Sequence, residues 1–333
     1  MTPKISVIIP LYNKGSYISD ALNSIFFQTI QDFEIIVVND GSTDDGMKIV
    51  QAFDDPRILI INQHNQGVSV ARNQGAKAAK ADIIAFLDAD DQWRPCFLET
   101  ILMLFEKYPL AGAYATGIVE IRDNKEVYQQ YRTIPKNGYE GLIPDFFKSA
   151  AIGERFITSS SVAMKKSILF ELSGFNRNTS WGEDAELFAK IALKYPIAFN
   201  SRICSMYFIR DKPRQKMARR ISITKEHPFI KTGMNYILCN QEKGKNFNDV
   251  LIYIDKLRIW SARENLMIGN SKSAREILVN CKNFKVQQYV LLVWTIFPES
   301  FYKLFGKYLF QLGIFFIVFI KRVLRYFNKF YSI

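Results

Sequence analysis

The chain has 333 residues, 48% hydrophobic and 23% charged, enough to bury a full core in one large domain with an appendage or in two domains, which excludes a disordered protein. Its net charge is +12, and from Lys225 onward 17 Lys and Arg stand against 7 Asp and Glu, so the basic excess lies in the C-terminal third. The four cysteines form no CxxC pair and have no histidine spacing suited to zinc, so they read as free thiols of a reducing compartment.

The N-terminus, MTPKISVIIPLYN, has too short an apolar run for a signal peptide, and synthesis is expected to finish in the cytoplasm. Ile5 to Ile9 forms a β-rich run stopped by Pro10, and Gly15 to Phe27 has apolar spacing suited to a helix. A second strand, Phe33 to Val38, ends in Asn39, Asp40 and Gly41, after which Ser42 or Thr43 is placed to cap a helix through Met47 and Val50. Ile58 to Ile61 reads as a third strand, Gly67 to Ala79 as an alanine-rich helix, and Ile83 to Leu87 as a fourth strand. This alternation predicts an α/β fold with a mostly parallel sheet and helices on both faces.

The fourth strand ends in three carboxylates, Asp88, Asp90 and Asp91, at the carboxyl edge where open α/β sheets place their ligands. Oxygen ligands at this density suit a hard cation such as Mg²⁺ or Mn²⁺, although acids also suit strand ends and helix starts. A helix is predicted over Phe97 to Tyr108, then strands between Tyr114 and Tyr139. Beyond these come a helix and loop over Phe146 to Phe156, a strand over Ser159 to Met164, and a short helix from Lys165 to Leu172 closed by Gly174. Trp181 to Asp184 introduces a further helix whose start carries both Glu183 and Asp184.

Four features now fall in a fixed order: PLYN at Pro10 to Asn13, VVNDGSTDDG at Val37 to Gly46, GVSVARNQGAKAAKADIIAFLDADD at Gly67 to Asp91, and GED at Gly182 to Asp184. Together they resemble the family 2 glycosyltransferases, inverting enzymes of the GT-A fold that use nucleotide-activated sugars. The resemblance covers about the first 215 residues. It implies a glycosyltransferase domain over 1–224, with a nucleotide-sugar-binding half over 1–112 and an acceptor-binding half over 113–224, followed by a basic, helical extension over 225–333.

In that family the first loop and the acid after the second strand hold the nucleoside, which maps to Pro10, Tyr12, Asn13 and Asp40. The chemistry agrees: a carboxylate accepts hydrogen bonds from a base or ribose, and a tyrosine offers a flat apolar face. Core packing for Tyr12 and helix capping for Asp40 are the alternatives. Arg72, in the ARN segment, is implied to reach the base or the phosphates, against the alternative of a surface arginine. Asp90 is implied as the direct ligand of Mn²⁺ or Mg²⁺, with Asp88 toward the ribose or a metal-bound water, and Asp91 as a further ligand or a helix cap. Asp184 corresponds to the base that deprotonates the acceptor hydroxyl, and Glu183 to a residue that orients the base or the acceptor. Arg210 matches a position where members often carry a phosphate- or acceptor-contacting arginine, and His227 is read as a surface or packed histidine rather than a metal ligand.

Two uncharged segments, Val286 to Pro298 and Tyr308 to Ile320, have 13 residues each. As helices they would reach about 20 Å, against about 30 Å of bilayer hydrocarbon. Aromatic content and flanking lysines suit a helix lying in the interface of an anionic membrane better than a span or a core helix. The expected setting is cytoplasmic, on the inner face of the plasma membrane, with a nucleotide-sugar donor and a glycan or polyprenyl-linked saccharide acceptor. No helix-turn-helix or RNA-binding signature is present, so nucleic acid is not an expected partner. A nicotinamide dehydrogenase would need GxGxxG in the first turn, where LYNKGSY offers one glycine, and a nucleotidyltransferase would need a glycine-rich phosphate loop that is missing.

Overall fold

The computed structural model describes residues 2–135, 138–179, 181–209, 226–240 and 247–283. The chain divides into two compact units, Met1–Lys212 and Pro213–Ile333.

The first unit opens with β1 (Ile5–Leu11), α1 (Gly15–Phe26), β2 (Phe33–Asp40), α2 (Gly46–Gln51), β3 (Ile58–Gln63), α3 (Val68–Ala78) and β4 (Ile83–Phe86). It continues with β5 (Gln92–Trp93), α4 (Phe97–Lys107), β6 (Ala113–Arg122), β7 (Lys125–Tyr128), β8 (Glu140–Leu142), α5 (Phe146–Ile152), β9 (Val162–Lys165), α6 (Lys166–Glu171), α7 (Glu183–Lys194) and β10 (Ile197–Phe208). Side-chain alternation in the strands builds two cores. Ile5, Val7 and Ile9 of β1 with Ile35 and Val37 of β2 face α1 and α4, whereas Ile8, Ile36 and Val38 face α3, α6 and α7. A sheet buried on both faces needs apolar residues at successive positions, which is why these strands read as continuous runs.

The strand order is β3-β2-β1-β4-β9-β6-β10-β5. β3, β2, β1 and β4 are mutually parallel and β6 is parallel to β10, while β9 runs antiparallel between β4 and β6. Six of the ten strands therefore point the same way, while β9 and the short β5, β7 and β8 run antiparallel to their partners, which apolar spacing alone does not disclose. β1 does not stop at Pro10. The last β4 partner, Phe86, lies opposite Ile8, so Pro10 costs no ladder bond on that side and the strand runs on to Leu11. The segment from Ser159 also differs from a plain strand: Ser159–Ser161 is a 3₁₀ turn closed by a capping box from Thr158, and β9 begins at Val162.

Because the chain winds from β1 outward to β3 and then returns to the other side of β1 as β4, the order reverses between β1 and β4. The loops leaving these two strands flank the crevice at that switch point, the place where open α/β sheets bind ligands.

In the second unit the helices Phe229–Asn240, Phe247–Met267 and Ser271–Val279 are described, with Ala262, Leu266, Ala274, Ile277 and Leu278 forming a small core. Asn270 caps the last of these by accepting from Ser273 N. Among the described residues no helix is long and apolar enough to cross a membrane. Val286–Pro298, Tyr308–Ile320 and Arg210 lie outside the described residues.

Candidate active site

The loop after β1 is tied to the loop after β2. Asn13 takes a left-handed conformation (φ 50°), its N–H donates to Ser42 Oγ at 3.2 Å, and its Oδ1 accepts from Thr43 N at 2.8 Å. Ser42 and Thr43 therefore tie the two loops together and do not cap α2, which starts after Asp45. Asp44 accepts from Gly15 N at 2.7 Å and from Gly46 N at 3.1 Å, drawing the starts of α1 and α2 onto one carboxylate. A Cβ on Gly15 would stand 3.0 Å from Gly46 N, so this approach requires glycine.

Tyr12 is 48% exposed, which disposes of the core-packing alternative. Pro10 is buried within β1, two residues before Tyr12. Asp40 is buried and accepts from Gln63 Nε2 at 2.7 Å, Gln66 N at 2.8 Å and Gly67 N at 2.9 Å. It pins the entry to α3 and does not cap the helix that follows it. Three accepted bonds leave a carboxylate about one further lone-pair position for a base or ribose.

After β4 the acids turn in different directions. Asp88 Oδ1 accepts from Arg72 at 2.7 Å, and Asp88 N donates to Ser160 Oγ at 3.1 Å. Asp90 is paired through Oδ2 with the Lys14 ammonium, across the crevice from the β1 loop. Asp91 does not cap α4: it is buried, accepting from Ser160 Oγ at 2.6 Å and from Phe208 N at 3.0 Å. Burial, and then the neighbouring Asp88 charge, pushes its carboxyl up to about 8. Ser160 also receives the Trp93 indole N–H on its carbonyl at 2.6 Å, so a single residue fixes both ends of the acidic loop.

Arg72 is 3% exposed and is not a surface arginine. Its guanidinium reaches Asp88 on one arm and Glu183 Oε1 at 3.2 Å on the other, and it lies 5.2 Å from the centre of the Phe175 ring. Burial alone would lower its pKa, but Asp88, Glu183 and Asp184 outweigh burial and hold the proton firmly. Glu183 follows Gly182, whose left-handed φ of 71° turns the chain into α7. Burial first and Asp184 second raise the Glu183 carboxyl, against the pull of Arg72. Asp184 Oδ1 accepts only the N–H of the next residue, Ala185, at 2.7 Å among its described bonds.

The structure thus brings Asp88, Asp90, Arg72, Glu183 and Asp184 to one edge of the sheet. Lys14, which immediately follows the first motif, and Ser160, which carries no spacing signal, are site residues that the sequence does not announce. His227 is buried in the second unit, its Nδ1 accepting from Phe229 N at 3.2 Å.

Among the described residues no three His, Cys, Asp or Glu side chains gather into a metal cage. Ions of the magnesium class seldom use one; they take one or two carboxylates and complete their shell with phosphate and water. Asp90 already holds a cation in the form of the Lys14 ammonium, and Asp88 offers hard oxygens beside it, so this donor set fits an ion that binds together with a diphosphate.

Residues 6–172 match the family model described as Glycosyl transferase family 2. An uncharacterized glycosyltransferase of Escherichia coli, YibD, is 37% identical over 134 residues, 40% of this chain and 39% of its own length. The chondroitin synthase of E. coli is 30% identical over 232 residues, 68% of this chain and 32% of its own. The chain thus spans about a third of the curated relatives it matches. S. aureus TarS 1–349 in complex with UDP-GlcNAc superposes with a TM-score of 0.65 at 16% identity, over 91% of each chain. The mannosyltransferase PcManGT from Pyrobaculum calidifontis in complex with GDP-Man and Mn²⁺ gives 0.54 at 19% identity, over 84% of this chain and 75% of that one. Likeness at these identities is one of fold.

Proposed function

Because this chain belongs to glycosyl transferase family 2 and is a transferase enzyme, we propose that it moves a sugar, with inversion, from a nucleoside diphosphate sugar to a hydroxyl group of a glycan or lipid-linked saccharide. The donor is a uridine diphosphate sugar. One observation carries the reading: two acidic groups far apart in the chain, Asp88 with Asp90 and Glu183 with Asp184, stand at one edge of the sheet with Arg72 between them.

Tyr12, Asn13 and Asp40 line the nucleoside side of the crevice, with the Tyr12 ring as the stacking face. Asp90 and Asp88 would hold Mn²⁺ or Mg²⁺, which would supply charge stabilisation for the departing diphosphate. Arg72 keeps Asp88 and Glu183 aimed into the crevice while neutralising their mutual repulsion. Asp184 accepts the proton of the acceptor hydroxyl as that oxygen attacks the anomeric carbon from the face opposite the leaving group. Glu183, held by Arg72, orients the acceptor.

The C-terminal segment docks on an anionic membrane surface on the cytoplasmic side, bringing the site to a polyprenyl-linked acceptor for surface polysaccharide synthesis. The basic excess after Lys225 supports this.

A thermal-shift panel of nucleoside diphosphate sugars with and without Mn²⁺ tests the donor reading. A rise in Tm with at least one uridine diphosphate sugar, enhanced by Mn²⁺, is expected. Stabilisation by none of the panel would overturn it.

A further inference from the structure

We propose that Lys14 is a built-in counter-ion that competes with the divalent cation for Asp90 and makes tight binding of that cation depend on the arriving diphosphate. The inference rests on the donor reading given above and adds to it a residue and a binding order.

The Lys14 backbone is fixed on both sides. Before it, Asn13 is tied to Ser42 and Thr43; after it, the Gly15 N–H is held by Asp44. Its own carbonyl accepts from Tyr17 N at 2.9 Å and from Ile18 N at 3.0 Å, starting α1. Only the side-chain torsions are left to move. They carry the ammonium 5.6 Å from the centre of the Tyr17 ring and onto Asp90 Oδ2. The Lys14 side chain is 29% exposed and that of Asp90 9%, so the pair sits at the mouth of the crevice with its anion sheltered and its cation able to leave.

This geometry sets up a competition. A divalent ion approaching Asp90 must displace an ammonium already paired there, or accept a positive neighbour within ion-pair distance. Either course weakens its binding to the free protein. A diphosphate changes the balance, because its oxygens offer the displaced ammonium a new anion next to the ion they share. Two ligands that each relieve a cost imposed on the other bind with positive coupling, and by linkage the coupling is reciprocal. Lysine suits this role better than arginine: it is a compact point charge on a flexible stem and makes no rigid two-pronged pair with a carboxylate.

The test is direct Mn²⁺ binding by the full-length protein, followed by electron paramagnetic resonance of the free ion, with and without uridine diphosphate. For Lys14→Met, Mn²⁺ alone should bind about tenfold more tightly than to the unaltered protein, and the gain produced by uridine diphosphate should shrink by a similar factor. Lys14→Arg, which keeps a cation on the loop, should retain the weak Mn²⁺ binding of the parent. Lys14→Met with unchanged or weaker Mn²⁺ affinity would overturn the proposal. If both proteins are stabilised by uridine diphosphate with Mn²⁺ yet show equal Mn²⁺ affinity, the role of Lys14 fails and the donor reading stands. If neither protein responds to uridine diphosphate in any condition, both fail together.

Discussion

Arg72 and Glu183 lie 111 residues apart in the chain and meet at 3.2 Å, with the other arm of the same guanidinium on Asp88 at 2.7 Å. This bridge joins the acids at the end of β4 to those at the start of α7. It keeps two carboxylates and one cation together at a depth where like charges alone would repel.

Removing the bridge leaves Asp88 and Glu183 without their shared cation. Arg72→Met should cost about 3 kcal/mol of unfolding free energy, read from urea denaturation near neutral pH. Arg72→Lys should recover only part of this, because an ammonium does not span both carboxylates. Adding Glu183→Gln to Arg72→Met should restore part of the loss, a coupling that a double-mutant cycle measures. Full additivity of the two changes would refute the bridge.

Asp184 is assigned the base. Asp184→Asn keeps the shape and the hydrogen bond to Ala185 N but cannot take a proton. Donor affinity should stay within about twofold, while turnover falls about 10²- to 10⁴-fold. A variant with near-normal turnover would remove Asp184 from the chemistry.

His227 gives the second unit a pH dependence of defined sign. Burial lowers its pKa to about 3, well below the ordinary histidine value of 6.5. Above about pH 6.5 the folded and unfolded chains both carry it neutral and its effect on stability is nil. As pH falls below that value the unfolded chain gains a proton that the folded chain refuses. Stability then drops by up to about 1.4 kcal/mol per pH unit until the folded value is reached. Hydrogen exchange at the Phe229 amide, compared between pH 7 and pH 5, should show faster opening in acid. His227→Gln should flatten that difference.

The C-terminal segments carry a separate prediction. Deletion after Pro298 should move the protein from the membrane to the soluble fraction on cell fractionation, and adding salt should release part of the unaltered protein because the lysine contribution is screened. Membrane association unchanged by the deletion would count against the tail.

Much of this was legible in the residues, for identifiable reasons. Strands buried on both faces announce themselves as unbroken apolar runs, and Ile35 to Val38 or Ile83 to Phe86 allow no other placement within a βα repeat. The motif acids lie at strand and helix ends, where spacing along the chain is spacing in space. What escaped depends on contacts between distant segments. β9 runs antiparallel to both β4 and β6, and a four-residue strand of three apolar residues and a lysine does not specify a direction. The burial of Arg72 depends on Asp88, Glu183 and Phe175 closing around it, none of which is near it in sequence except through the fold. Asp91 reads from sequence equally as a further ligand or a helix cap, and the cap reading gives way because Ser160 and the Phe208 N–H draw the side chain inward. Ser160 itself was invisible: a serine among three consecutive serines has no signature until Trp93 and Asp91 arrive beside it.

The central claim concerns where a diphosphate sits. A crystal of the full chain with Mn²⁺ and an unreactive uridine diphosphate sugar should place the ion on Asp90 and Asp88 and the anomeric carbon between that ion and the Asp184 carboxylate. A diphosphate bound away from the β1 and β4 loops, or a sugar turned from Asp184, would contradict the account.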